Sequence, residues 1–166
     1  MIRLIALAGS ATLALAACGD AEEVEATNEP TEVLAQEGDI AVIPSLENVS
    51  EASMELGGED VGVCRFEAEG ATLLVAAASE AADARGVGVV QMNGRQIMLE
   101  GTELGGPDAI SAGPMLTNEE YTFEVNRAGI GTEATVESTS YEATLTVRRE
   151  GMSEVAYGPG TWTCGI

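Results

Sequence analysis

The sequence predicts an all-β domain, a small antiparallel barrel or sandwich of about seven or eight short strands, over residues 61–166. Three observations lead there. Apolar residues recur with period two and not 3.6. A two-residue turn signal, Asn93-Gly94, sits between two such runs. The remaining apolar runs are short and separated by glycine-containing breaks.

Taken in chain order, the first strand candidates are 61–66 and 73–77. Ala76, Ala77, Ala78, Ala81, Ala82 and Ala84 are good helix formers, which makes a helix over 74–85 the competitor. The reading adopted is strand over 73–77, then a loop or single turn over 79–85. Residues 87–92 and 95–99 flank Asn93-Gly94, a pair that tolerates the positive φ angles of a type I′ turn. Counting outward from that turn pairs Met92 with Arg95, Gln91 with Gln96, Val90 with Ile97 and Val89 with Met98. Val90 and Ile97 then share one face, and the two glutamines share the other. The glycines over 101–106 and 129–131 read as loop punctuation, without the pattern of a phosphate-cradling loop.

Tyr121, Phe123 and Val125 alternate with Thr122, Glu124 and Asn126. Tyr141, Ala143, Leu145 and Val147 alternate likewise with Glu142, Thr144, Thr146 and Arg148, so each run has one apolar and one polar face. Two last strands are expected at 155–157 and 161–164, separated by a tight turn at Gly158-Pro159-Gly160. Trp162, the only tryptophan, is expected in the core. No internal repeat of fixed period is present.

The chain opens with Arg3 and an apolar run over 4–15 that ends in Leu15-Ala16-Ala17-Cys18. A charged start, a short apolar stretch and small residues at its close describe a secretory signal. The run is well short of the roughly 20 residues needed to cross a bilayer as a helix. The four closing residues resemble the lipobox of bacterial lipoproteins. That resemblance implies removal of residues 1–17, lipid modification of Cys18 and anchoring in a membrane; two acyl chains, at about 0.8 kcal/mol per buried methylene, hold stably. In such lipoproteins Asp directly after the cysteine favours the inner membrane. Gly19 stands there, so the expected place is the outer membrane, facing the periplasm.

Removing 17 of the 166 residues leaves 149, enough for one domain and a tether. Over 19–41 the acidic side chains Asp20, Glu22, Glu23, Glu25, Glu29, Glu32, Glu37 and Asp39 meet no basic or aromatic residue. This composition reads as a disordered, self-repelling tether. Residues 42–60 are ambiguous, carrying Val42, Ile43, Leu46, Val49, Met54 and Leu56 before a break at Gly57-Gly58-Glu59-Asp60. The organisation expected is therefore 1–17 signal, 18–60 lipidated cysteine with tether and lead-in, and 61–166 β-domain. With Cys18 lipidated, Cys64 and Cys164 form an even pair in an oxidising compartment, most simply a disulfide closing the domain.

Charge bounds function next. The chain carries 28 acidic and 7 basic side chains for a net of −21, and it has no His. All of the basic residues are Arg. Such a polyanion is repelled by nucleic acid and by anionic headgroups; a cationic protein partner is allowed. Without His or Lys there is no Ser-His-Asp or Cys-His system, no Ser-Lys dyad, no Schiff-base lysine and no His-ligated zinc. Close carboxylate pairs exist at Glu59-Asp60, Glu67/Glu69 and Glu119-Glu120, but neighbours in sequence lie on opposite strand faces or on turns. No run has calcium-loop spacing. The expectation is a non-catalytic protein without cofactor or metal. Arg127 and Arg148-Arg149 are candidates either to hold an anion or to compensate nearby carboxylates.

A lipobox, a short acidic tether and a β-domain with cysteines near both ends are similar to the layout of the membrane-bound inhibitors of C-type lysozyme. Cys64-Arg65-Phe66, Gly70, Leu73-Leu74-Val75 and Asn93-Gly94 resemble the opening half of that domain. The family places a loop with Ser and Gly, then Tyr and later Lys, in the lysozyme cleft. Ile110-Ser111-Ala112-Gly113 corresponds loosely; Tyr121 falls further along and Lys is absent. The resemblance therefore implies only Ser111 and Gly113 as candidate partner-binding residues. It leaves lysozyme inhibition as the alternative to a general binding or structural role in the envelope, and carboxylate-dependent hydrolysis as a third reading.

Overall fold

The computed structural model describes residues 42–49, 56 and 61–165. The signal segment, Cys18, the acidic stretch and the 57–60 break lie outside the described residues. The elements in order are β1 (Leu46–Glu47), β2 (Val61–Ala68), β3 (Ala71–Ser79), β4 (Arg85–Met92), β5 (Arg95–Leu104), α1 (Gly106–Ser111), β6 (Met115–Thr117), β7 (Tyr121–Thr135), β8 (Ser138–Arg149) and β9 (Val155–Gly165). Strands β4-β3-β2-β9-β8-β7-β6-β5 are neighbours in that order, and β5 pairs back on β4. The result is an eight-stranded antiparallel closed barrel, with β1 added outside against β4.

The Asn93-Gly94 hairpin forms in the expected register, Met92 opposite Arg95 through Val89 opposite Met98. Asn93 and Gly94 have φ of 51° and 68°, the left-handed values a type I′ turn requires. The alternating runs in β7 and β8 put Tyr121, Phe123, Val125, Ala143, Leu145 and Val147 in the interior. They meet Phe66, Leu74, Val90, Leu99, Leu116 and Trp162 there, so side chains fill the barrel, as an eight-stranded barrel permits. Cys64 and Cys164 stand opposite each other on β2 and β9 and are joined by a disulfide across 100 residues.

Both ends are stoppered. At one, here the upper end, α1 lies across the opening: a Cβ on Gly86 would be 2.4 Å from Ile110 Cγ2, and one on Gly62 would be 2.6 Å from Pro107 Cβ. These glycines are notches that admit the helix. Gly86→Val is therefore expected to displace Ile110, which is 1% exposed, and to cost about 1–3 kcal/mol, read as a lower urea midpoint. At the lower end the segment 42–49 closes the fold, with Ile43 and Leu46 in the main core. Leu46 N–H donates to Tyr157 Oη at 2.9 Å. Val49 N–H donates to Thr72 O at 2.8 Å, and Thr72 N–H to Asn48 Oδ1 at 2.9 Å. Val49 also covers Val75 and Val89 on the outside of the wall.

The strand reading holds over the helix competitor: β3 runs to Ser79 and a turn follows, and because β3 is covered on both faces its apolar run shows no alternation. Three expectations need correction. The glycines at 129–131 lie inside β7, where the pairing shifts between Ala128 and Thr132, and Gly101 lies inside β5. The run 105–111 is not only loop: Pro107 in the first turn and Asp108 behind it start α1. Finally, no turn separates 155–157 from 161–164. The cis Gly158-Pro159 peptide lies in continuous β9, which absorbs an extra residue as a bulge, Tyr157 pairing with Leu145 and Gly160 with Ala143.

Candidate functional site

At the upper end the β7–β8 hairpin projects past the barrel wall and faces α1. Between them opens a cleft of about 450 Å³. Its floor is Cys64, Cys164, Ile110 and Tyr141; its walls are Pro107, Asp108 and Ser111 from α1 and the hairpin from Glu133 to Thr139. Val136 at the hairpin tip is 95% exposed. Three carboxylates, Asp108, Glu133 and Glu137, stand on the rim, all exposed, and no Arg lines the cleft. An apolar floor with an anionic, cation-free rim suits an amphipathic group of positive charge.

Local packing holds this geometry. Trp162 is fully buried, and its Nε1–H donates to Ile110 O at 3.2 Å, fixing the end of α1 to the barrel. Tyr141 lies against the β7 bulge: a Cβ on Gly131 would come within 2.4 Å of its ring. Arg127 stacks on the same ring at 4.1 Å from its centroid, a cation–π contact.

Ser111 belongs to α1, and its Oγ donates to Asp108 O at 3.1 Å, so it lines the cleft as part of the helix and not on a protruding loop. Gly113 is not among the lining residues. With φ of 100° it takes the chain from α1 towards β6, and a Cβ there would lie 2.6 Å from Val125 O. Cys18 lies outside the described residues. Sequence reading missed Asp108, Glu133 and Glu137 as a group. Asp108 had a local signal in the Pro-Asp helix start; the others are joined to it only by folding.

Arg148 and Arg149 are spent locally. Arg148 bridges Glu124 at 2.7 Å and Glu154 at 2.6 Å. Its pKa is raised, first by the hydrogen bond to Glu154 and next by that to Glu124. Arg149 donates to Tyr121 Oη at 3.2 Å and lies 3.9 Å from Glu120. Glu67 accepts from Thr72 Oγ1 at 3.3 Å, with Ala68 inward between it and Glu69. Among the described residues no three His, Cys, Asp or Glu side chains are grouped to hold a metal ion, and no helix is long and apolar enough to cross a membrane. No known protein family matches the chain, and no curated protein or solved structure is detectably similar to it.

Proposed function

We propose that this is a lipid-anchored protein of the cell envelope, held in the outer membrane through Cys18 and facing the periplasm, with a non-catalytic role in binding a cationic protein partner at the upper cleft. The observation that carries this reading is the filled interior. Phe66, Leu74, Phe123, Leu145 and Trp162 occupy the space in which an open barrel would take a ligand, so recognition falls to the surface. The cleft offers apolar area together with three carboxylates and no basic residue in its lining. A carboxylate acid catalyst draws its raised pKa from burial, whereas Asp108, Glu133 and Glu137 are exposed.

Inhibition of a C-type lysozyme is the sharper second reading. It is favoured by Ser111 on the cleft wall and by the acidic rim facing a cationic enzyme. A pull-down from envelope extract with hen lysozyme added, using the disulfide-intact chain from Gly19, separates the two. Retention of lysozyme at physiological salt with loss of its activity selects inhibition; retention of another cationic protein selects the general reading. Replacing Asp108 with Asn and Glu133 and Glu137 with Gln is expected to slow partner association about tenfold at low salt and to flatten its salt dependence. Unchanged retention by that variant would place the binding surface elsewhere.

A further inference from the structure

Asn93-Gly94 is the chain's only Asn-Gly pair, and both residues are exposed at the lower end. In such a pair the glycine adds no Cβ to hinder attack by its own backbone on the neighbouring side chain. The Gly94 amide nitrogen loses its proton and bonds to Asn93 Cγ; the Cγ–Nδ2 bond then breaks as Nδ2 takes up a proton from solvent, and ammonia leaves. Water then opens the resulting succinimide ring at either carbonyl, giving aspartate or isoaspartate.

One contact bears directly on the first of these steps. Both carboxylate oxygens of Glu47 accept from Gly94 N–H, at 3.0 and 3.1 Å. Glu47 is held in place by its β1 register opposite Gln91, whose Nε2–H donates to the same carboxylate at 3.2 Å. The proton that must leave is therefore the one that is held, and the amide anion would form against a fixed negative charge. Like charges about 3 Å apart repel, even at the dielectric of water, strongly enough to lower the anion population about tenfold.

We propose that Asn93-Gly94 is a deamidation site that the Glu47 carboxylate keeps closed, so that the seating of β1 on the barrel sets the chemical lifetime of the hairpin. The two are linked in both directions. Isoaspartate routes the main chain through an extra carbon between Met92 and Arg95, where a two-residue turn fits, and Met92 is the residue on which Leu46 of β1 pairs.

The test incubates the full chain at mildly alkaline pH and follows residue 93 by peptide mass mapping, with aspartate and isoaspartate separated chromatographically. Glu47→Gln keeps an acceptor and removes the charge; Glu47→Ala removes both. Both are expected to deamidate faster than the parent, Glu47→Ala by about tenfold, while the emission of buried Trp162 stays unchanged and reports an intact barrel. Rates equal to the parent in both variants would overturn the proposal. Slower rates would overturn it too, because the carboxylate would then be taking the proton and not holding it.

Discussion

Trp162→Ala is expected to lower the unfolding free energy by about 3–5 kcal/mol, the cost of emptying a fully buried aromatic site. For a domain of this size that is a fall in Tm of roughly 10–20 °C. Trp162 stands opposite Phe66 on β2 and Tyr141 on β8, so its loss leaves a void between both neighbouring strands. It also frees α1, whose Ile110 carbonyl accepts the indole N–H at 3.2 Å. Trp162→Phe retains most of the apolar contact and loses that hydrogen bond, for an expected cost of about 1–2 kcal/mol. Thermal unfolding followed by far-ultraviolet circular dichroism measures both variants. A loss below about 1 kcal/mol for the alanine variant would mean that the ring does not organise the upper core.

Removing the disulfide by Cys64→Ala with Cys164→Ala is expected to cost about 2–5 kcal/mol, the chain-entropy estimate for a closed loop of this length being near the top of that range. The bond ties the first barrel strand to the last. Those strands are hydrogen-bonded neighbours from Val63–Gly165 to Glu67–Thr161, so the native geometry is already set without the bond and its main effect falls on the unfolded chain. The urea midpoint should drop while the slope steepens, because a chain without the cross-link expands further on unfolding. A midpoint unchanged by the double substitution, or by reductant, would show that ladder and core alone carry the seam.

How much of this was legible varied with how local the signal was. The Asn93-Gly94 hairpin and its register follow from two residues and a period of two, and they form as read. The alternating runs that became the inner halves of β7 and β8 were equally clear, because one face of each meets the core and the other meets water. β3 was ambiguous for the opposite reason, with Leu74 and Ala76 facing inward and Val75 lying under Val49 outside. β6, only three residues long, is too short to show a period, and α1 is six residues with its signal confined to the first turn. β9 was divided in two because Gly158-Pro159-Gly160 has the composition of a turn, and pairing with β8 on one side and β2 on the other carried the strand through it.

By itself the sequence determined the class of the fold and the two cysteines available to one another, since these depend on composition, count and short periodicities. Tertiary structure decided what those quantities could not contain. It closed the sheet into a filled barrel, seated Ile110 and Pro107 in glycine notches, used Ile43 and Leu46 as a lower stopper and laid Val49 over the outside of the wall. It also gathered Asp108, Glu133 and Glu137 around one cleft. The physical reason is range: a turn or an alternating strand is written within a few residues, whereas a cleft is made by side chains far apart in sequence, which become neighbours only when the strands between them have found their register.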